Sequence, residues 1–122
     1  MSIVMYSPDY HKYLYSDDKG MFDKVVELAN RLIKLLDSSY SCTIEPKRRP
    51  TPGNAIGLCY QGNRIAILIR YKDSVRNGST WHSERLSDKT IFETVAHEIA
   101  HLKHFNHGSE FKKLEQELIS KI

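Results

Sequence analysis

Cysteine is scarce in this sequence of 122 residues, where Cys42 and Cys59 are the only two and neither belongs to a CxxC pair. Two cysteines are too few for a disulfide scaffold. A free cysteine outside such a framework usually behaves as a small hydrophobic residue. We therefore expect both thiols to be buried on strands, without a role in chemistry.

Long hydrophobic runs are also missing, since no apolar stretch approaches the roughly 20 residues that a membrane span needs. The N-terminus lacks the basic start and the apolar core of a signal peptide. These absences predict an intracellular chain, cytoplasmic or associated with the nucleoid or nucleus, that has no membrane partner. Hydrophobic residues make up 40% and charged residues 27%, which is typical of a folded domain, and the length fits one domain over residues 1–122.

Basic and acidic residues are nearly balanced, at 18 and 15, but they are unevenly distributed. The segment 45–86 has a net charge of +5, and the rest of the chain has a net charge of −2. Lys47, Arg48 and Arg49 are consecutive within it. A basic segment is compatible with weak, non-specific DNA binding, and equally with a solvated surface.

The pattern of apolar residues predicts an α+β domain. Apolar residues at steps of three and four after Asp17 and Asp18 indicate an amphipathic helix that ends near Leu36. Strands are indicated at 40–45, 55–60 and 64–70. A loop at 46–54 joins the first two, a hairpin turn at 61–63 joins the second and third, and a loop at 71–86 leads to the next helix. Two further helices are predicted, one capped by Ser87 or Asp88 and one beginning at Ser109. Residues 1–16 show no clear period and are interpreted as a short arm.

The sequence His97-Glu98-Ile99-Ala100-His101 is an HExxH motif on the first of these two helices. Residues four apart lie one above the other on a helix, so two imidazoles can converge on one Zn²⁺. Glu98 is rotated by about 100° from His97, which places it beside the metal, where it can accept a proton from water. The alternative is two surface histidines on an amphipathic helix.

A third metal ligand is needed, because catalytic zinc usually has three protein ligands. The candidates are His104, His107, Glu110 and Glu115. His104 faces the right way but lies about 10.5 Å along the helix axis from His97, so we favour a helix-terminal charge or a supporting role for it. His107 lies between Asn106 and Gly108, which tolerate the conformations that end a helix and turn the chain back.

The segment from His97 to Phe111 closely resembles the active-site segment of the SprT-like, WLM and YgjP-type zinc metallopeptidases. Their pattern is HExxH, five residues, a third histidine, and an aromatic residue that opens the next helix. The resemblance implies a minimal zincin-like domain with a three-stranded sheet, His97, His101 and His107 as zinc ligands, and Glu98 as general base. A metzincin is disfavoured, because that family has a glycine at the position of His104 and a methionine turn downstream, whereas every methionine here lies upstream of the motif. In a gluzincin-type site, Glu115 or Glu117 would replace His107 as a ligand.

The function predicted on this basis is zinc-dependent hydrolysis of peptide bonds in a protein or peptide substrate. We expect the substrate to lie along 64–70 as an edge strand, in contact with Ile67, Leu68 and Ile69. The resemblance also suggests that the protein substrates are held on DNA. The candidates for stabilising the oxyanion are Tyr60, Tyr71, His82 and Arg85, and Trp81 is a candidate substrate contact.

The alternative function is a zincin-fold binding or assembly module of a larger complex, with little or no protease activity. The presence of Glu98 argues against it, because neither folding nor zinc binding needs this carboxylate.

Overall fold

The computed structural model describes residues 3–6, 18–36, 40–47, 57–60, 63–69, 75–76, 79–80 and 86–122. In chain order its elements are β1 (Ile3–Tyr6), α1 (Lys19–Ile33), β2 (Ser41–Lys47), β3 (Gly57–Tyr60), β4 (Arg64–Leu68), β5 (Val75–Arg76), β6 (Ser79–Thr80), α2 (Asp88–Lys103) and α3 (Ser109–Ile119). This order confirms the predicted α+β class.

The main sheet has the strand order β1-β2-β4-β3. β2 runs parallel to both β1 and β4, and β3 is antiparallel to β4. The three predicted strands correspond to β2, β3 and β4. β1 adds a fourth strand where the sequence predicted an arm, and α1 secures it, because the Val4 N–H donates to Asn30 Oδ1 at 3.0 Å.

The prediction that 64–70 forms an edge strand is wrong. β4 is hydrogen-bonded to β2 on one side and to β3 on the other, so no peptide can add to it. Ile67, Leu68 and Ile69 are at most 3% exposed and cannot be the substrate contacts that we expected. Within the described residues, β3 pairs with β4 alone, so β3 is the edge strand at this end of the sheet.

Both faces of β4 are buried, as its uninterrupted apolar sequence predicts. Ile65, Ile67 and Ile69 belong to the core under the helices, and Ala66 and Leu68 are buried on the opposite face. The core joins these isoleucines to the apolar sides of α1 and α2. α2 packs against α1, α3, β3 and β4, so its position is fixed from several directions.

The local signals at the ends of α2 and α3 agree with the structure. Ser87 caps α2, since its Oγ accepts the Thr90 N–H at 3.2 Å. α2 ends at Lys103, and α3 begins at Ser109 after a short link. The chain turns between the two helices, as predicted, but neither Asn106 nor Gly108 adopts the left-handed conformation behind that prediction, since Gly108 has a φ of −74° and the φ of Asn106 is negative.

Two described pieces of the predicted loop 71–86 form a short antiparallel ladder between β5 and β6. Residues 48–56, 71–74, 77–78 and 81–85 lie outside the described residues. None of the helices that the structure describes is long and apolar enough to cross a membrane.

Candidate metal centre

Three histidine side chains converge at the junction of α2 and α3. His97 and His101 lie one turn apart on α2, and His107 comes from the link that follows the helix. One ring nitrogen from each lies within 4.8 Å of the others. His97 Nε2 and His107 Nε2 are 3.4 Å apart, close to the roughly 3.3–3.4 Å between two nitrogens held tetrahedrally at 2.0–2.1 Å from zinc. The donor set and its spacing therefore fit a zinc ion.

The second ring nitrogen of two of these histidines has its own partner. His97 Nδ1 lies 2.5 Å from Glu115 Oε2, and His101 Nδ1 lies 3.2 Å from the backbone carbonyl oxygen of His104. Both partners are acceptors, so each imidazole carries its proton on Nδ1. The Nε2 lone pairs of His97 and His101 are then free for a metal.

Phe111 is the buried support under the three imidazoles. Its ring stacks on His101 with the centroids 4.4 Å apart, and it meets His97 and His107 edge to face at 4.9 and 5.0 Å. Burial lowers the pKa of His101, and the His104 carbonyl offsets part of that change. A lowered pKa keeps this imidazole neutral near pH 7, as metal binding requires.

Glu98 lies beside the histidine cluster and is 4% exposed. Burial raises the pKa of its carboxyl to about 7, and the negative charge of Glu115 adds to the increase. A carboxylate with a pKa near the working pH is well matched to accept and return a proton.

The edge strand β3 passes close to Glu98 at Gly57. A Cβ atom at this position would lie 2.5 Å from Thr94 Cγ2 and 2.8 Å from Glu98 Oε2. Such distances leave no room for a side chain, so a glycine is needed where the strand crosses α2. Gly57 thus allows the backbone of β3 to reach the carboxylate of Glu98.

Gly57→Ala is therefore expected to lower the free energy of unfolding by about 1–3 kcal/mol, the usual cost of overpacking. Denaturant unfolding measures this change. Adding Thr94→Ser should recover part of it, because serine lacks Cγ2 but keeps the hydroxyl that donates to the Thr90 carbonyl.

Gly20→Ala is the matched control for this pair, because nothing lies within 4 Å of a Cβ at Gly20 in α1. A Gly57→Ala variant as stable as the wild type would contradict the close approach of β3 and α2.

Among the remaining candidates, those that the structure describes do not join the histidine cluster. The side chain of His104 is not among the three that converge, and only its backbone supports the site. Glu110 and Glu117 are exposed on α3. Tyr71, Trp81, His82 and Arg85, and the side chain of Tyr60, lie outside the described residues.

Both cysteines lie on strands, as predicted, but only Cys42 is buried, and Cys59 is half-buried. Burial raises the pKa of the Cys42 thiol to about 12. Burial also raises the pKa of Cys59 to about 11, and the charge of Glu98 contributes. Neither thiol is ionised near neutral pH, so neither is an activated nucleophile in this state.

Sequence reasoning missed two contributors to the site. Gly57 was counted only as part of a strand region, and nothing local marks a glycine that lies against a distant helix. Glu115 was considered only as an alternative ligand. Its spacing from Phe111 and Leu118, at four and three residues, was the available signal that it faces inward.

The histidine cluster lies in an α+β domain, on helix α2 and on the link that follows it. Solved structures of Wss1 share the α+β fold. Wss1 from Saccharomyces cerevisiae superposes with a TM-score of 0.68 at 15% identity, covering 98% of this chain and 86% of that one. Wss1 from S. pombe gives 0.61 at 18% identity, covering 99% and 89%.

The resemblance predicted from residues 97–111 is therefore confirmed at the level of the fold. No protein-family model and no curated protein matches the sequence.

Proposed function

We propose that this protein is a zinc-dependent peptidase that uses Glu98 as its general base. The single observation that carries the proposal is the convergence of His97, His101 and His107 beside the buried carboxylate of Glu98. A Wss1-like fold supports it. The three histidines would hold the metal and leave one position open, which is the arrangement of catalytic rather than structural zinc.

The protein side of the mechanism follows from the same residues. When bound, zinc supplies Lewis acidity, which polarises a carbonyl group and lowers the pKa of water towards about 7. Glu98 accepts the proton of the attacking water and returns it to the leaving amine. Its burial and its raised pKa favour both steps, because the carboxyl gains and loses a proton near neutral pH.

The substrate strand is proposed to lie along β3 rather than β4. Within the described residues β3 pairs only with β4, and its first residue, Gly57, lies against the Glu98 carboxylate. An extended peptide added to this strand would gain main-chain hydrogen bonds next to the general base. The expected substrate is therefore an extended segment of a protein or peptide.

The test is a zinc titration combined with a cleavage assay on an unfolded protein such as casein. We expect one zinc ion per chain and cleavage that stops on addition of a chelator and returns when zinc is restored. A protein that binds zinc in this stoichiometry but cleaves nothing would instead support the binding or assembly module.

The finer proposal is that the protein substrates are associated with DNA, and it rests on the charge of segment 45–86. Among its described residues, Arg64 pairs with Glu45 at 2.9 Å, so part of the positive charge is already matched. The consecutive Lys47, Arg48 and Arg49 are left as the main candidates for phosphate contacts. Their side chains lie outside the described residues.

Neutralising Lys47, Arg48 and Arg49 together is expected to weaken DNA binding and flatten its salt dependence. Each lost phosphate contact should reduce the slope of log affinity against log salt by about 0.9 on duplex DNA or about 0.7 on single strands. Titration of a labelled oligonucleotide at several salt concentrations measures this slope. An unchanged slope, or no binding at low salt, would remove DNA from the proposal and leave the peptidase intact.

A further inference from the structure

Glu115 is the acidic side chain of α3 that faces the histidine cluster. It follows Phe111 by four residues and precedes Leu118 by three, and both of these are almost fully buried. Residues at this spacing share one side of a helix. The helix that supports the three imidazoles from below therefore also presents a carboxylate to α2.

The contact that Glu115 makes is specific. Its Oε2 lies 2.5 Å from His97 Nδ1, and both side chains are partly shielded, with exposures of 20% for Glu115 and 34% for His97. His97 Nε2 is the atom that lies 3.4 Å from His107 Nε2. The two nitrogens lie at different positions on the imidazole ring, so Glu115 contacts His97 at the nitrogen that does not join the cluster.

We infer that Glu115 is a positioning residue of the metal centre rather than a ligand. By accepting the Nδ1–H of His97, it fixes the tautomer whose Nε2 lone pair faces the other two histidines, and it holds the ring in that orientation. This inference rests on the proposed function, because it requires the cluster to bind zinc.

Three different contacts then orient the three histidine rings. Glu115 orients His97, the backbone carbonyl of His104 orients His101, and Phe111 packs against all three rings. Of the two hydrogen-bond acceptors, only Glu115 is a side chain that mutation can remove.

The test measures zinc affinity and the tautomer of His97 in Glu115→Ala and Glu115→Gln. Competition with a chromogenic chelator gives the affinity, and proton–nitrogen correlation spectra of the metal-free protein give the tautomer. In Glu115→Ala we expect zinc affinity to fall about 10–100-fold, the usual effect of losing such a partner. The His97 proton should no longer be confined to Nδ1.

Glu115→Gln keeps an acceptor oxygen in the same place, so its affinity is expected to lie between those of the wild type and Glu115→Ala. If Glu115→Ala fails to fold, the zinc affinity and the His97 tautomer of Glu115→Gln still test the positioning role of Glu115. Glu117→Gln is the matched control, because it removes an exposed carboxylate from the same helix, and it should bind zinc as the wild type does.

Two results would overturn the inference. Affinity and tautomer in the Glu115 variants that match the Glu117→Gln control would show that the contact has no positioning role. Complete loss of zinc in Glu115→Ala, with zinc retained in His107→Ala, would make Glu115 a ligand. Failure of the proposed function is separate, since it would be seen as a wild type that binds no zinc or does not cleave.

Discussion

Replacing Glu98 by glutamine is expected to abolish peptide hydrolysis while the protein keeps its fold and its zinc. Glutamine has the shape of glutamate but cannot accept the proton of the attacking water. General acid–base catalysis contributes roughly 10²–10⁴-fold to a rate, so the loss should be at least of that size. Cleavage rates of the purified wild type and variant, each loaded with zinc, measure it.

The environment of Glu98 makes this substitution a clean one. The carboxyl is buried and its pKa is raised to about 7, so a neutral side chain is easily accommodated at this site. The free energy of unfolding should therefore stay the same or increase slightly. Equal cleavage by variant and wild type would place the chemistry elsewhere, whereas loss of zinc in the variant would show that Glu98 supports the metal site.

The helix α2 is the part of the site that was most predictable from sequence. Its Ser87 cap and the facing of His97, Glu98 and His101 depend on neighbours within a few residues, and the helical repeat of 3.6 residues fixes them. A turn after the helix was predicted from Asn106 and Gly108, which left His107 as one of several candidates for the third ligand. The local signals therefore placed His97 and His101 on one helix face, and the choice of His107 came from the resemblance of residues 97–111 to a known family.

The strand order could not be predicted in this way, because it depends on pairing between distant segments. β1 has four residues without an alternation of apolar and polar side chains. It joins the sheet by pairing with β2, and its Val4 N–H donates to the Asn30 side chain of α1. The burial of both faces of β4 was predicted. A strand that is apolar on both faces is typical of the interior of a sheet, so the pattern itself favoured a central position over the edge that we expected.

The roles of Gly57 and Glu115 could not be predicted from sequence either, because each depends on a contact with a distant segment. Gly57 is required because β3 crosses α2 within van der Waals distance of Thr94 and Glu98, which are 37 and 41 positions later in the sequence. Glu115 gains its role from a neighbour on another helix, His97. Nothing near Gly57 in the sequence marks its contact, and the spacing of Glu115 from Phe111 and Leu118 indicates only that it faces inward. The partners of both residues are therefore revealed only by the folded chain.

The identity of the third ligand gives the other large expected effect: His107→Ala should lose zinc, and His104→Ala should keep it. His107 supplies one of the three converging nitrogens, 3.4 Å from that of His97. Removing it leaves two ligands, and zinc affinity should fall by more than the roughly 10–100-fold expected for a supporting partner. Because His107 is exposed in a link between helices, its loss should leave the fold intact.

His104→Ala is the matched comparison, since it removes an imidazole at the C-terminal end of α2 that is three residues before His107 in the sequence. The structural contribution of His104 to the cluster is its backbone carbonyl, which accepts the His101 Nδ1–H, and alanine keeps that group. Elemental analysis of both dialysed variants, with circular dichroism to confirm folding, measures the difference. If His104→Ala lost the metal and His107→Ala retained it, the ligand set would have to be reassigned, and the turn at Asn106 would no longer serve to complete a zinc site.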